Sequence, residues 1–202
     1  MRILVSSGTS DTINTNHRLR QRIAHGFQEL GYFSIAMSIE EVPQQLALKD
    51  IDFLLITGSI ADPSVDLAGL VRHARSQKVV VAFWLHDDPY EFDMHWRLES
   101  LECPVFSNEA NCITYYPNRC RAKTLALAAS SLDDSQLPIV VNPEPEVDLA
   151  FCGVAFPQRV AILRDLSNAG FSIACWGDGW PDDLVTAVNL RLGPMGLRHL
   201  YA

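Results

Sequence analysis

The chain has 202 residues, 16 basic against 24 acidic, and a formal charge of −8. Hydrophobic residues make up 48%, enough for a packed core, which excludes a disordered chain. The acidic residues are dispersed, which argues against a broad positive face for nucleic acid.

No apolar run reaches the ~18 residues a membrane span needs, so no span is expected. Met1 leads directly into "RILVSS", too short for the apolar core of a secretory signal. The five cysteines, Cys103, Cys112, Cys120, Cys152 and Cys175, form no CxxC pair. They read as reduced, buried thiols of a cytoplasmic protein. The histidines show no spacing that would complete a zinc site, and no metal is expected.

The first predicted strand covers 2–6 and runs into the polar loop "SGTSDTINTN". Leu19, Ile23, Phe27 and Leu30 recur at helical spacing, which predicts a helix over 15–30 stopped at Gly31. "FSIAMSI" is the second strand. "EEVPQQLAL" is a short helix or turn, with Pro43 near its start. "IDFLLITGS" is the third strand, and 65–77 is a helix with Leu67, Leu70, Val71 and Ala74 on one face. The fourth strand is the apolar run from Val79, ending in "LHDDPYEFDMHW". A helix over 92–101 follows. Then come a fifth strand in "CPVFSN", a helix in "EANCITYY" and a sixth strand in "AKTLALAAS".

These strands are continuous apolar runs alternating with helices. That predicts an α/β fold: a Rossmann-like, doubly wound parallel sheet covered on both faces. Pro138, Pro143 and Pro145 then break the pattern, and 141–147 reads as a linker. The rhythm restarts with a strand in "VDLAFCGV". A helix in "PQRVAILRDLSNAG", a strand in "FSIACWG" and a short helix in "PDDLVTAV" follow. Two parts are expected: a Rossmann-like domain over 1–140 and a partial second one over 148–202.

Ligands of open α/β sheets bind beyond the carboxyl ends of the strands. His86, Asp87 and Asp88 stand at such an end. A carboxylate there can take a proton from a hydroxyl, and His86 can do the same or bond a phosphate. Their structural alternative is a helix cap, because Asp88 precedes Pro89. Gly8, Thr9 and Ser10 after strand one, and Gly58 after strand three, occupy equivalent positions, as ligand loop or as plain turn. Tyr90 and Asn108 flank the same end. In the second part, Gly153 and Arg159 read either as a diphosphate cradle or as a strand-to-helix turn with a surface arginine. Gly177 lies in "WGDGW", which borders a base or forms a glycine turn between core tryptophans.

Several chemistries are excluded. GxGxxG, GxSxG and GxxxxGK[ST] do not occur, so no dinucleotide cofactor, serine-hydrolase elbow or P-loop is supported. A receiver domain needs an aspartate ending strand three, where Thr57, Gly58 and Ser59 stand.

"FWLHDDPYEFD", "VFSNEA" before "YY", "LALAAS" and "VDLAFCGVAFPQRVAILRDLSNAGFSIACWGDGW" occur in that order. With these motifs the chain resembles the CgeB-like spore-maturation proteins and their relatives among the GT-B-fold glycosyltransferases, over 79–180 and more loosely back to Met1. The resemblance implies a hexosyltransferase-like enzyme moving sugar from a nucleotide-sugar to a hydroxyl-bearing acceptor, without a metal. It gives residues 1–140 the acceptor side and 148 onward the donor side. Asp87 or Asp88 becomes the base, and Gly153 and Arg159 face the donor phosphates. It also implies a longer donor domain than 148–202, so the chain reads either as a fragment of a longer protein or as a short member whose missing half a homo- or hetero-oligomeric partner completes. The alternative is a non-catalytic module of the same fold that binds a partner protein or an acceptor.

Overall fold

The computed structural model describes residues 1–11, 17–48, 50–127, 147–176 and 179–184. The chain divides into two units, Met1–Gln136 and Leu137–Ala202.

Unit 1 is built on a parallel sheet of β1 (Arg2–Ser7), β2 (Phe33–Ala36), β3 (Phe53–Gly58), β4 (Val80–Leu85), β5 (Val105–Ser107) and β6 (Lys123–Thr124). The spatial order is β2-β1-β3-β4-β5-β6. Register runs from Ile3 opposite Phe53 to Ser7 opposite Thr57, and from Phe53 opposite Val80 to Gly58 opposite Leu85. The chain therefore winds outward in both directions from the β1/β3 pair, the switch point of a doubly wound sheet.

The apolar strand runs are explained by helices on both faces. Helix α1 (His17–Glu29) brings Ile23, Ala24 and Phe27 onto Ile3 and Val5. On the other face α2 (Val42–Ala47) and α3 (Leu67–Ser76) cover Leu4, Leu54, Ile56, Val81 and Phe83. Each such fully buried aliphatic or aromatic side chain contributes about 1.5–3 kcal/mol. The Asp66 side chain caps α3 by accepting from the Gly69 N–H at 2.8 Å, a bond worth about 1 kcal/mol. The expected inward face of α1 ends at Phe27, because Leu30 is exposed and lies beyond the helix.

Two expected helices come out differently. The region after β4 is a 3₁₀ turn, Phe92–Met94, followed by the single α-turn α4 (Trp96–Glu99). The Asp88–Pro89 peptide is cis, and Asp88 caps neither segment. Residues Ala110–Tyr115 are also 3₁₀. Both 3₁₀ turns end at a side chain committed to a buried network described below, His95 and Tyr116. That tertiary demand overrides α-helical spacing. The sixth strand pairs only Lys123 and Thr124 with β5, while 128–130 lie outside the described residues.

Unit 2 contains β7 (Leu149–Cys152), α5 (Pro157–Asn168) and β8 (Ile173–Trp176), with the strands parallel. Leu163, Ile173, Cys175 and Leu184 form its core, joined by Val160, Leu166 and Trp180. The Asp148 carboxylate accepts from Ser172 N–H at 2.8 Å and from its hydroxyl at 2.7 Å, tying the two strand entrances together. Of the helix expected in "PDDLVTAV", the residues from 185 lie outside the described ones. Cys103, Cys112, Cys120 and Cys175 are free and buried, and burial pushes each thiol up.

Candidate functional site

The carboxyl ends of β1, β3, β4 and β5 carry a group of polar residues in unit 1. Two adjacent aspartates at the tip of β4 meet opposite fates. Asp88 turns inward and is buried with His95, Ser107 and Tyr116. Its Oδ1 lies 2.9 Å from His95 Nε2, and its Oδ2 accepts from Ser107 Oγ at 2.5 Å and from Tyr116 Oη at 2.8 Å. Tyr116 Oη also lies 2.8 Å from His95 Nε2, and the two rings stack with centroids 4.3 Å apart. Burial alone would raise Asp88, but the hydrogen bonds from His95, Ser107 and Tyr116 outweigh it and hold the carboxyl below its usual range. Burial, then the bond to Asp88, pushes the Tyr116 phenol far up, so it stays a donor.

Asp87 is half-buried, and among the described residues no hydrogen bond reaches its carboxylate. Burial raises its proton affinity, and the charges of Glu91 and Asp88 add to the effect. Glu91 is held by the loop after β3, accepting from Ser59 Oγ at 2.5 Å and from Ile60 N–H at 2.9 Å. Gly58 opens that loop at φ 88°, a left-handed conformation costly for a side chain with a Cβ.

His86 lies beside them, its Nε2 3.1 Å from Thr57 Oγ1. Its Nδ1 is buried without a partner, and Asn108 Nδ2 donates to its carbonyl at 2.8 Å. Asn108 Oδ1 is likewise buried and unpartnered. Burial pulls His86 from 6.5 down to about 4, so at neutral pH it is an uncharged imidazole.

This shift predicts a pH dependence of stability. Between about pH 6.5 and about pH 4 the unfolded chain binds the His86 proton and the folded chain does not. Stability is therefore intact above about 6.5 and falls toward about 4, by up to about 3 kcal/mol. Asp87 has the opposite sign, since its folded pKa is raised, and offsets part of the loss at the acid end. In urea unfolding at stepped pH, His86→Asn is expected to flatten the slope over this window. Equal slopes in the two proteins would remove the assignment.

The loop after β1 is tied down rather than open. Gly8 donates its N–H to Thr57 O at 3.1 Å, and a Cβ on Gly8 would sit 2.3 Å from the Ser59 carbonyl oxygen. Thr9 is buried. The Asp62 carboxylate accepts from Ser10 N–H at 2.9 Å and from Ser64, bonds that hold it well ionised. Arg97 in turn donates to the carbonyl oxygens of Ile60, Asp62 and Val65. Beyond β1 and β2 opens a cavity of about 430 Å³, lined in part by Ser10, Ile39, Glu40, Ser64 and His73. Ser10 reaches this cavity; His86, Asp87 and Asp88 are not among its walls. Tyr90 is 89% exposed.

In unit 2, Trp180 Nε1 donates to Gly153 O at 2.9 Å. The Arg159 Nη1 donates to Val154 O at 3.0 Å, and its guanidinium lies 4.7 Å from the Phe156 ring centre. A Cβ on Gly153 would meet Arg159 Nη1 at 3.2 Å, so the glycine admits the guanidinium to that turn. Gly177 lies outside the described residues.

The structure thus brings His86, Asp87, Gly58 and Asn108 to one end of the sheet, with Glu91, Thr57 and Ser59 beside them. Sequence reading gives no role to Ser107 or Glu91, and Tyr116, expected to line the cleft beyond strand five, is instead buried against Asp88. The only signal was polarity at a strand end in "VFSNEA" and in the turn after β4. Among the described residues no group of three or more His, Cys, Asp or Glu side chains is placed to hold a metal ion. No described helix is long and apolar enough to cross a membrane. Comparison of the chain with protein-family models, with curated proteins and with solved structures finds no match in any of the three.

Proposed function

We propose that the chain is a GT-B-type glycosyltransferase whose unit 1 binds a hydroxyl-bearing acceptor at the β3/β4/β5 end, with Asp87 as proton acceptor. One observation carries the reading. Of two neighbouring aspartates, Asp88 has its oxygens bonded by His95, Ser107 and Tyr116, while Asp87 keeps a carboxylate of raised proton affinity, unbonded among the described residues, beside a neutral His86. A base whose pKa approaches working pH takes a proton more effectively. Raised, half-buried carboxylates are also the groups that functional sites favour.

The step this supports is glycosyl transfer to a hydroxyl. The acceptor O–H gives its proton to Asp87 as its oxygen bonds to the anomeric carbon of the sugar. The bond from that carbon to the nucleoside diphosphate breaks, and the electron pair leaves with the diphosphate. Asp88 is then a positioning residue that fixes the turn carrying Asp87. In unit 2 the donor-phosphate role of Gly153 and Arg159 rests on the sequence resemblance.

The experiment is thermal unfolding of the chain against UDP, GDP, ADP, dTDP and CMP and their sugars. A ligand at about 100 times its dissociation constant adds about 2.7 kcal/mol. For a chain of this size that is a rise of roughly 5–10 °C. A rise with one nucleotide family is the expected result and names the donor base. No rise with any of them would favour a non-catalytic module of this fold.

A further inference from the structure

The opposite edge of unit 1's sheet, at the amino ends of β4 and β5, carries a second cavity, of about 620 Å³. Arg75, Lys78, Arg119 and Arg121 line it, against one carboxylate, Glu102. This concentration of positive charge stands in a chain with a formal charge of −8. Among the described residues, none of the four cations forms an ion pair with a carboxylate. Arg75 Nη2 donates to the carbonyl oxygens of Leu101 and Glu102, and Arg119 Nε to that of Glu99. Carbonyl oxygens hold the guanidinium groups in place without cancelling their charge.

The backbone makes a second, independent observation. Among the described residues, Lys78, Glu102 and Arg121 are the non-glycine residues at positive φ, at 63°, 50° and 45°. All three line this one cavity. Each follows the end of a helix: α3, α4 and the 3₁₀ turn Asn118–Cys120. Lys78 N–H bonds Arg75 O and Val79 N–H bonds Ala74 O, a helix stop in which glycine is the usual left-handed residue. A Cβ is disfavoured in that conformation. Three long charged side chains are nonetheless found there, and they converge. Backbone conformations of this kind gather at ligand sites.

We propose that this cavity binds a ligand bearing two or more adjacent phosphates. Three guanidinium groups and an ammonium, from two separate segments, outnumber the single carboxylate from a third. Arginine forks match phosphate oxygens in pairs, and two of them are already held by backbone carbonyls, which lowers the ordering cost of binding. The site lies at the other end of the strands from His86 and Asp87, so it does not depend on the transferase reading.

The test is isothermal titration of the full chain with orthophosphate, pyrophosphate and tripolyphosphate, at about 50 and about 200 mM salt. Tripolyphosphate is expected to bind several-fold more tightly than orthophosphate, and to weaken several-fold at the higher salt. The double variant Lys78→Gly, Arg121→Gly removes two charges while favouring the same backbone. Its melting temperature is expected to match or exceed the native one, so a change in binding is not unfolding. Its dissociation constant for tripolyphosphate is expected to rise at least about tenfold, a loss of about 1.4 kcal/mol. Arg164→Ala, in unit 2, removes a cation already paired with Asp183 and is expected to bind tripolyphosphate unchanged. No binding by the native chain, undiminished binding by the double variant, or a loss that follows Arg164→Ala instead would each overturn the proposal. With the site upheld, ATP separates the sources: tighter binding than tripolyphosphate assigns a nucleotide, equal binding a bare polyphosphate.

Discussion

Asp88→Ala is expected to destabilise the protein by about 3–5 kcal/mol, because it removes a buried charge whose partners stay behind. His95 Nε2, Ser107 Oγ and Tyr116 Oη all address this one carboxylate, and all are sealed from water. Each buried polar group left without a partner costs about 1–3 kcal/mol by itself. The melting temperature is expected to drop by roughly 6–20 °C. Tyr116→Phe removes one donor and leaves the rest of the cluster, so its loss is expected to be about 1–2 kcal/mol. The double variant decides whether these residues act as a unit. In urea unfolding, the losses are expected to be non-additive by at least about 1 kcal/mol. Additivity within about 0.5 kcal/mol would show that the cluster is not one network. The pH sign is also determined. Asp88 has a lowered folded pKa, so its contribution is complete above the ordinary carboxylate range and is lost as pH falls through the folded value.

Asp87→Asn, one residue away, is expected to do the reverse. Its carboxylate holds no hydrogen bond among the described residues, and its charge opposes those of Glu91 and Asp88. Removing that charge at neutral pH is expected to change stability by less than about 1 kcal/mol, in the stabilising direction. Sugar transfer is expected to fall about 10²–10⁴-fold in kcat, the usual contribution of a general base. The loss should fall on kcat with little change in KM, since the asparagine keeps the shape of the site. The measurement is initial-rate kinetics with the donor found by thermal unfolding, alongside denaturation of the same preparation. Full turnover in Asp87→Asn would remove the base assignment. An equal stability loss in Asp87→Asn and Asp88→Ala would remove the division of roles itself.

The order of elements was legible in the sequence for simple physical reasons. Ile3 to Val5, Leu54 to Ile56 and Val81 to Phe83 are continuous apolar runs, and only a strand covered on both faces has that demand. The face of α3 was legible because Leu67, Leu70, Val71 and Ala74 keep helical spacing, and all four are buried. The position of the polar residues was legible too. His86, Asp87 and Asp88 follow an apolar run, and a run of that kind delivers its next residues to the sheet edge.

What each of those residues does was settled by tertiary contacts. Nothing local separates Asp87 from Asp88: both are aspartates in one dipeptide. Asp88 is chosen for burial by partners 7, 19 and 28 residues away, from the next turn, from the end of β5 and from the segment after it. His95 and Tyr116, which end the 3₁₀ turns Phe92–Met94 and Ala110–Tyr115, belong to the same network, where helix spacing alone predicts α-helix. The strand order β2-β1-β3-β4-β5-β6 is equally non-local, because an apolar run states that a strand is buried and not which strand lies beside it. The basic cavity is assembled from Arg75, Lys78, Arg119 and Arg121, which lie far apart in an acidic chain and meet only where two helix ends turn to one edge of the sheet. Periodicity along the chain determines which side chains seek the interior. Register and crossover between strands determine which of them meet, and so where a charge is neutralised and where it is left to act.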